Sequence, residues 1–280
     1  MPAMDDRKTI GLIAGASRLP IIVARNAKAA GYKVICVGLG DVFDENLKSI
    51  VDVFYPVPLA RPGVWIRKLR RHGVSSTIMV GKVEKKTLYT PFRILKYMPD
   101  WRALRIWLVR LKGKDWRPDT LLNAIADELA AGGIILEDST MYSEKDLADD
   151  GTMTKLSPSN SIEADIQFGW AIAKKIGESD IGQAVAVKEK ETVAVEAIEG
   201  TAEMIKRAGG LCGKGWTLVK TAKPAQDMRF DVPCIGPDTV QSVYDNGGKC
   251  IVVEAGKTFV VDKQQTIELA DKLGIIIVGR

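Results

Sequence analysis

Short apolar runs closed by glycine recur through the first half of the chain. Thr9–Gly15 (TIGLIAG), Lys33–Gly38 (KVICVG) and Ser76–Gly81 (STIMVG) lack the polar alternation of a half-exposed strand and are short for a helix. Each is predicted as a strand buried on both faces. Between them, apolar residues recur at helical spacing over Leu19–Ala30, which stops at Gly31, and over the short basic segment Val64–His72, which stops at Gly73. Pro118–Ala131 is predicted as a helix that opens on proline and ends at Gly132-Gly133. Its apolar stripe is Leu121, Leu122, Ile125 and Leu129, and Ile134–Leu136 follows as the last strand of this half. Strands alternating with helices imply α/β architecture, with a parallel sheet covered on both faces.

The polar segment Met141–Ser161, with its Gly, Pro and Ser, reads as the connection between two domains, and the pattern beyond it changes. Ile162–Lys175 is predicted helical, ending at Gly177. Gln183–Val187 and Thr192–Ala197 pair around a Lys-Glu-Lys-Glu turn, and Ala202–Ala208 is helical. Trp216–Lys220 and Met228–Val232 are strand candidates, and Ile251–Val253 with Thr258–Val261 reads as a hairpin around Ala-Gly-Lys. Thr266–Leu273 is a helix and Ile275–Val278 a last strand. This half is mixed α/β, which divides the chain into domains at 1–139 and 140–280, with no repeat at a fixed period.

With 280 residues, 46% hydrophobic and 27% charged, the chain suits one large domain or two ordinary ones. Its four cysteines are far apart and His72 is its one histidine, so neither a disulfide framework nor a zinc site of the common types follows from the spacing. The N-terminus lacks a basic segment before its first apolar run, and no run reaches the ~18 residues of a membrane span. A cytoplasmic protein is the expectation. The net charge of +5 is unevenly placed, for Arg93–Arg117 holds eight Lys/Arg against two Asp, interleaved with Trp101, Trp107 and Trp116. On a helix, Trp101, Leu104, Leu108 and Leu111 share one face while Arg102, Arg105 and Lys112 lie off it. That pattern fits a helix packed on its domain with a solvated basic face, or a surface that meets anionic lipid or acyl chains. Basic residues are not similarly concentrated elsewhere, so nucleic acid is not an expected partner.

Several motifs bear on chemistry. GLIAGASRLP is a glycine-containing strand-to-helix turn, although Ser17 occupies the second glycine position of G-x-G-x-x-G. GKT at 256–258 is not a P-loop, because Ile251 stands where glycine is required and a strand is expected to follow. His72, at a helix end after two arginines, reads as a surface or capping residue. Asp180 and Gln183 fall in a turn before a strand. Thr201 is a candidate N-cap after Gly200, at a helix start whose amides can hold a phosphate. In TAKPAQDMRFDVPCIGPDT (221–239), an extended Asp227–Val232 puts Asp227, Arg229 and Asp231 on one face and Met228, Phe230 and Val232 on the other. Two carboxylates beside an arginine suit a phosphate ester or anhydride with magnesium, and equally a self-neutralising salt-bridge ladder. Lys223 and Gln226 precede the set, and Pro224 and Pro233 stiffen its flanks.

GLIAGASRLP, SDIGQAVAVKEKETVAVEAIEGTAEMIKRAG (179–209) and KPAQDMRFDVPCIGPDT (223–239) together resemble the LpxI-type UDP-2,3-diacylglucosamine pyrophosphatases of bacterial lipid A synthesis, in the same order from Ile10 to the C-terminus. The resemblance implies an N-terminal Rossmann-like domain, a C-terminal catalytic domain of the LpxI type, and a lipid substrate held between them. It implies hydrolysis of UDP-2,3-diacylglucosamine to 2,3-diacylglucosamine 1-phosphate and UMP, with magnesium or another divalent cation, by water attacking the β-phosphorus. The family's key aspartate corresponds to Asp231, with Arg229 and Gln226 as neighbours. The roles expected on this basis are Asp231, Arg229 and Lys223 in catalysis and Asp231 with Asp227 at the metal. Gly15, Gln183, Glu199, Gly200, Thr201 and Gln226 are expected at the substrate. Where relatives often carry Gly-Asp-Asp before the long helix, this chain reads DWRPDTLL, leaving Asp119 as the nearest counterpart. The expected partners are a lipid-linked nucleotide sugar, the inner-membrane surface and a second copy of the chain in a homodimer. Two readings compete: a carrier that holds a phosphorylated glycolipid without cleaving it, and a nucleotide-sugar-binding regulator that uses only the N-terminal turn.

Overall fold

The computed structural model describes residues 8–40, 42–82, 98–110, 118–224, 226–230 and 232–280. Two compact units emerge, one formed by 1–143 with 228–230 and the other by 144–227 with 231–280.

In the first unit, β1 (Thr9–Ala14), β2 (Lys33–Leu39), β3 (Val53–Val57), β4 (Ser76–Val80) and β5 (Ile135–Leu136) form a sheet of order β3-β2-β1-β4-β5. Every neighbouring pair in it is parallel. This is the Rossmann-like arrangement, in which consecutive crossovers carry the chain first one way and then the other from β1. Helix α1 (Leu19–Ala29) covers one face through Ile21, Val23 and Ala24. On the other face lie α3 (Pro62–Arg70), through Trp65, Ile66 and Leu69, and α5 (Pro118–Ala131), through Leu129. A single turn, α2 (Leu47–Ile50), precedes β3. The pattern of apolar runs did not reveal β3 (VFYPV), because Pro56 interrupts it. Proline cannot donate to a ladder and is tolerated at a sheet edge, which is where β3 lies.

Helix α4 (Trp101–Arg105) continues into a π-helical turn, Ile106–Arg110. Its orientation reverses the reading of a helix packed on its domain with a solvated basic face. Glu128 of α5 is fully buried, and it draws in the basic residues: Arg102 Nη1 donates to Oε1 at 2.6 Å and Arg105 Nε to Oε2 at 3.1 Å. Ile106 is buried against Ala124, whereas Trp101 and Leu108 of the predicted packing face are exposed. A carboxylate inside a protein needs its counter-charge more than an exposed tryptophan needs cover.

The second unit is a three-layer α/β sandwich. Strands β6 (Gly151–Thr152), β7 (Ala184–Lys188), β8 (Glu191–Val195), β9 (Trp216–Lys220), β11 (Gly248–Val253) and β13 (Ile276–Gly279) form a mixed sheet of order β6-β13-β11-β9-β7-β8. Helix α6 (Asn160–Glu178) packs Ile166 and Ala173 against Val185, Val187 and Val219. The opposite face meets α7 (Thr201–Cys212), α8 (Pro237–Asp245) and α9 (Lys263–Leu273), with Met204, Val243 and Ala270 among the buried contacts. The pairing of β7 with β8 is antiparallel, as the turn between them requires.

Two strand assignments are corrected. The segment read as a hairpin is split: β11 pairs with β9 and β13, while β12 (Phe259–Val260) pairs in parallel with β10 (Cys234–Ile235) in a separate two-stranded sheet. Burial of β11 in the middle of the large sheet consumes both of its edges, leaving none for a hairpin partner. The run Met228–Val232 is not a strand, for residues 228–230 form a turn. In place of a ladder, the Met228 carbonyl accepts both the backbone N–H of Ser139 (2.9 Å) and its hydroxyl (2.7 Å). Phe230 completes the core of the first unit.

Truncation of Phe230 should therefore be felt far from it in sequence. Phe230→Ala is expected to destabilise the first unit by about 3–5 kcal/mol and Phe230→Leu by under about 1.5 kcal/mol. Urea unfolding followed by hydrogen exchange at the β1 and β4 amides checks this; unchanged protection in the alanine variant would contradict the packing.

Candidate active site

The carboxyl ends of the parallel strands β9, β11 and β13 share one edge of the second unit's sheet with the start of β7 and the end of β8, because Lys220 pairs with Ala184 and Val253, and Val185 with Val195. In open α/β sheets this edge is where ligands bind. The residues just beyond each strand meet there.

Glu196, beyond β8, is buried, and so is Lys220 at the end of β9. Thr201, the first residue of α7, joins them: its hydroxyl donates to Glu196 Oε1 at 2.7 Å and accepts from Lys220 Nζ at 3.1 Å. Among the described residues no carboxylate lies within ion-pair distance of Lys220, so the hydroxyl relays its charge to Glu196. Because that hydroxyl has one proton, which Glu196 takes, Thr201 can offer an anion its backbone N–H and not its side chain. Gly200 precedes it with φ 84°, a left-handed conformation that costs glycine nothing, and no side chain caps α7. The open first turn of α7 offers backbone N–H groups to an anion beside the Lys220 ammonium, whose charge Glu196 balances through Thr201. Glu199, in the turn before α7, pairs instead with Arg207 of that helix at 2.5 Å. A hydrogen bond from its own backbone amide, and then the Arg207 guanidinium, hold its carboxyl below the ordinary range.

Gln183 accepts the Thr221 N–H at its carbonyl (3.0 Å) and donates its own N–H to Glu196 Oε2 (3.3 Å), while its side-chain Oε1 is buried without a partner among the described residues. Beyond Thr221, Glu254 controls the path of the chain. Its Oε2 accepts the Ala222 N–H at 2.9 Å and Lys174 Nζ at 2.5 Å, and Lys257 reaches Oε1 at 3.0 Å. Lys174 also donates to the Ala222 carbonyl at 3.3 Å. Lys223 comes next, its ammonium 2.5 Å from Asp180 Oδ1. The turn that follows is closed by Gln226, whose N–H donates to the Lys223 carbonyl at 2.9 Å and whose Oε1 accepts the Lys223 N–H at 3.3 Å.

The second unit thus brings together Gln183, Gly200, Thr201, Lys223 and Gln226 from three separate stretches. Asp227 follows, half-buried. Asp231 lies outside the described residues, as does the side chain of Asp119 on α5. Arg229 and Gly15 belong to the first unit. Arg229 Nη2 donates to Asn123 Oδ1 at 3.0 Å, and its guanidinium lies 5.5 Å from the Phe230 ring. Gly15 ends β1 at the switch point beside β4, donating its N–H to the Val80 carbonyl at 2.9 Å; a Cβ there would sit 2.8 Å from the Lys82 carbonyl oxygen. Its smallness is accounted for by this close approach. His72 shares a 2.8 Å hydrogen bond with Tyr55.

Glu196, Lys220, Lys174 and Glu254 were not selected from the sequence. A lysine that closes the apolar strand WTLVK was the available signal, since a charge inside a buried run needs a reason. Glu254, after the equally apolar CIVV, carries the same mark.

Models of the LpxI N-terminal domain and the LpxI C-terminal domain match residues 9–145 and 149–278. The chain is 32% identical over 283 residues to the UDP-2,3-diacylglucosamine pyrophosphatase LpxI of Caulobacter vibrioides, with 97% of each chain covered. It is also 28% identical over 190 residues to the bifunctional purine biosynthesis protein PurH of Prochlorococcus marinus strain AS9601, and 27% identical over 183 residues to PurH of Cereibacter sphaeroides strain ATCC 17029. It covers 32% of each of these PurH proteins, and 66% and 61% of this chain respectively take part.

The Glu254 clamp has a pH signature. Burial pushes its carboxyl up, but hydrogen bonds from Lys174 and Lys257 outweigh burial and hold it below the ordinary 4.5. A lowered carboxyl contributes stability that is fully present above 4.5 and is lost as pH falls through the lower folded value. Glu254→Gln keeps an acceptor for Ala222 but not the charge. It should cost about 1–3 kcal/mol at neutral pH, with the gap to wild type closing below the ordinary carboxylate range. Urea unfolding of both proteins as a function of pH reads this directly, and a gap that stays constant into acid would refute it.

Proposed function

The chain belongs to the LpxI family, and on that premise we propose that it hydrolyses the diphosphate of UDP-2,3-diacylglucosamine in lipid A synthesis. Its extended match along nearly all of the Caulobacter pyrophosphatase carries the reading. The proposed reaction adds water across the P–O–P bridge: the water oxygen bonds to one phosphorus, the bridge breaks, and UMP and 2,3-diacylglucosamine 1-phosphate separate.

The corner at the start of α7 supports such a substrate, since phosphate anions favour a helix N-terminus beside a buried ammonium. In the proposed roles, Lys223 and Arg229 neutralise the diphosphate, and the 199–201 turn contributes backbone N–H groups to it. Gln183 and Gln226 contact the substrate, as does the Gly15 turn. The Lys223–Asp180 pair holds the ammonium in one place before substrate arrives, which lowers the reorganisation needed in the transition state.

Magnesium fits the donor set. It takes oxygen ligands, commonly one or two carboxylates completed by phosphate oxygens and water, and Asp227 and Asp231 are two carboxylates on one short stretch. Among the described residues no three or more His, Cys, Asp or Glu side chains are grouped for a metal, which a cation held largely by substrate does not require. When bound, it would supply charge neutralisation and a more acidic water. Asp231 is assigned to holding that cation or to taking the proton of the attacking water. The same reading takes the enzyme to be cytoplasmic, peripheral on the inner membrane and homodimeric; no described helix is long and apolar enough to cross a membrane.

Purified protein with magnesium and the nucleotide lipid is expected to release UMP, and chelation should stop the release until magnesium is restored. Asp231→Ala should lower the rate by ~10²-fold or more with an unchanged melting transition. A carrier would release no UMP at all, and full activity in the alanine variant would remove Asp231 from the mechanism.

A further inference from the structure

Within the first unit, the stretch from Met98 to Val109 is apolar side out. Trp101 is 76% exposed, Val109 69%, Trp107 55% and Leu108 53%. These side chains are not on a loose tail. Asp100 caps α4, its Oδ1 accepting the Ala103 N–H at 3.0 Å, and its Oδ2 accepts the Gly63 N–H of α3 at 2.8 Å. Arg61 Nε donates to the Met98 carbonyl at 2.8 Å, and Arg102 and Arg105 are rooted on Glu128. The π-helical turn at Ile106–Arg110 widens the spiral, so Ile106 alone turns inward while Trp107, Leu108 and Val109 stand out in succession. A fold that ties its arginines to a buried carboxylate and holds two tryptophans, a leucine and a valine in water is presenting them to something.

We propose that this rim inserts into the interface of an anionic lipid bilayer, and that it docks the enzyme where its lipid substrate resides; the second clause rests on the function proposed above. The choice of occupant follows from charge. In sequence, the rim is flanked by Arg93 and Lys96 on one side and Arg110, Lys112, Lys114 and Arg117 on the other, and the whole stretch 93–117 carries eight Lys/Arg against two Asp. Tryptophan and leucine bordered by lysine and arginine match the boundary between acyl chains and anionic headgroups. A two-fold interface between copies of this chain would set the same basic stretch against itself. An anionic membrane complements it.

Sedimentation of the full-length protein with vesicles tests the proposal, using phosphatidylcholine alone and phosphatidylcholine mixed with anionic phosphatidylglycerol. Wild type should sediment with the anionic vesicles, less so at high salt, and stay in solution with the neutral ones. Trp107→Glu combined with Leu108→Glu should weaken the association by ~10-fold or more, whereas Trp107→Phe with Leu108→Ile should retain it. Both variants should hydrolyse detergent-dispersed substrate within about twofold of wild type, since neither Trp107 nor Leu108 is among the proposed catalytic or substrate-binding residues. Wild type that stays in solution with anionic vesicles overturns the proposal, and so does a glutamate variant that sediments equally well. Conversion of a dimer to monomer by the glutamate pair, read by light scattering with vesicle binding unaltered, would assign the rim to a second copy instead. Failure of wild type to cleave detergent-dispersed substrate would overturn the proposed function while leaving the sedimentation result standing on its own.

Discussion

Where the chain leaves β9 it must turn out of a buried sheet with its peptide groups satisfied, and the carboxylate of Glu254 governs that exit. It accepts the Ala222 N–H, while Lys174, held by the same carboxylate, donates to the Ala222 carbonyl. The two peptide groups flanking Ala222 are thereby both held. Everything the following stretch does begins from this fixed point: the Lys223–Asp180 pair, the turn closed by Gln226, and the departure toward Asp227. A buried carboxylate is costly unless its partners are well placed; here three donors supply that placement, and burial in turn makes each bond directional and hard to exchange for water.

The same physics recurs in the first unit with a different result. Glu128 is buried in α5, and its demand for counter-charge turns Arg102 and Arg105 inward. On an amphipathic segment one face cannot turn in without the other turning out, so the carboxylate dictates that Trp101, Trp107 and Leu108 meet solvent. Glu196 is the third instance. Among the described residues no ammonium lies against it directly, and the Thr201 hydroxyl carries the charge of Lys220 to it. In each case a single acidic side chain decides the orientation of a nearby basic one.

Much of the α/β framework was legible. β1, β2, β4, β9 and β13 are compact apolar runs, and α1, α5, α6 and α9 carry clear helical spacing between recognisable ends. The failures share a cause. Pro56 hid β3 because an edge strand tolerates what an interior strand does not. The segment 251–261 looked like a hairpin because two apolar runs flanked a glycine, yet β11 had both edges occupied by strands distant in sequence. Phe230 is buried, but in a turn, with the Met228 carbonyl bonded to Ser139 instead of a ladder partner. Among the candidate site residues, Gln183, Gly200, Thr201, Lys223 and Gln226 were visible because turn formers and polar groups stood beside strands. Lys220, Glu196 and Glu254 were hidden by the apolar runs that contain them.

By itself, then, the sequence determined the alternation of buried strands and helices, the change of pattern after residue 140, and the family, because these are written in local periodicity and in long contiguous motifs. Tertiary structure alone decided which strands pair, which face of the α4 segment turns inward, and which polar groups converge at the end of the second sheet. Those outcomes depend on buried charges finding partners far away in the chain. Glu128 lies 26 positions from Arg102 and Glu254 lies 80 from Lys174, and no window of neighbouring residues contains either pair.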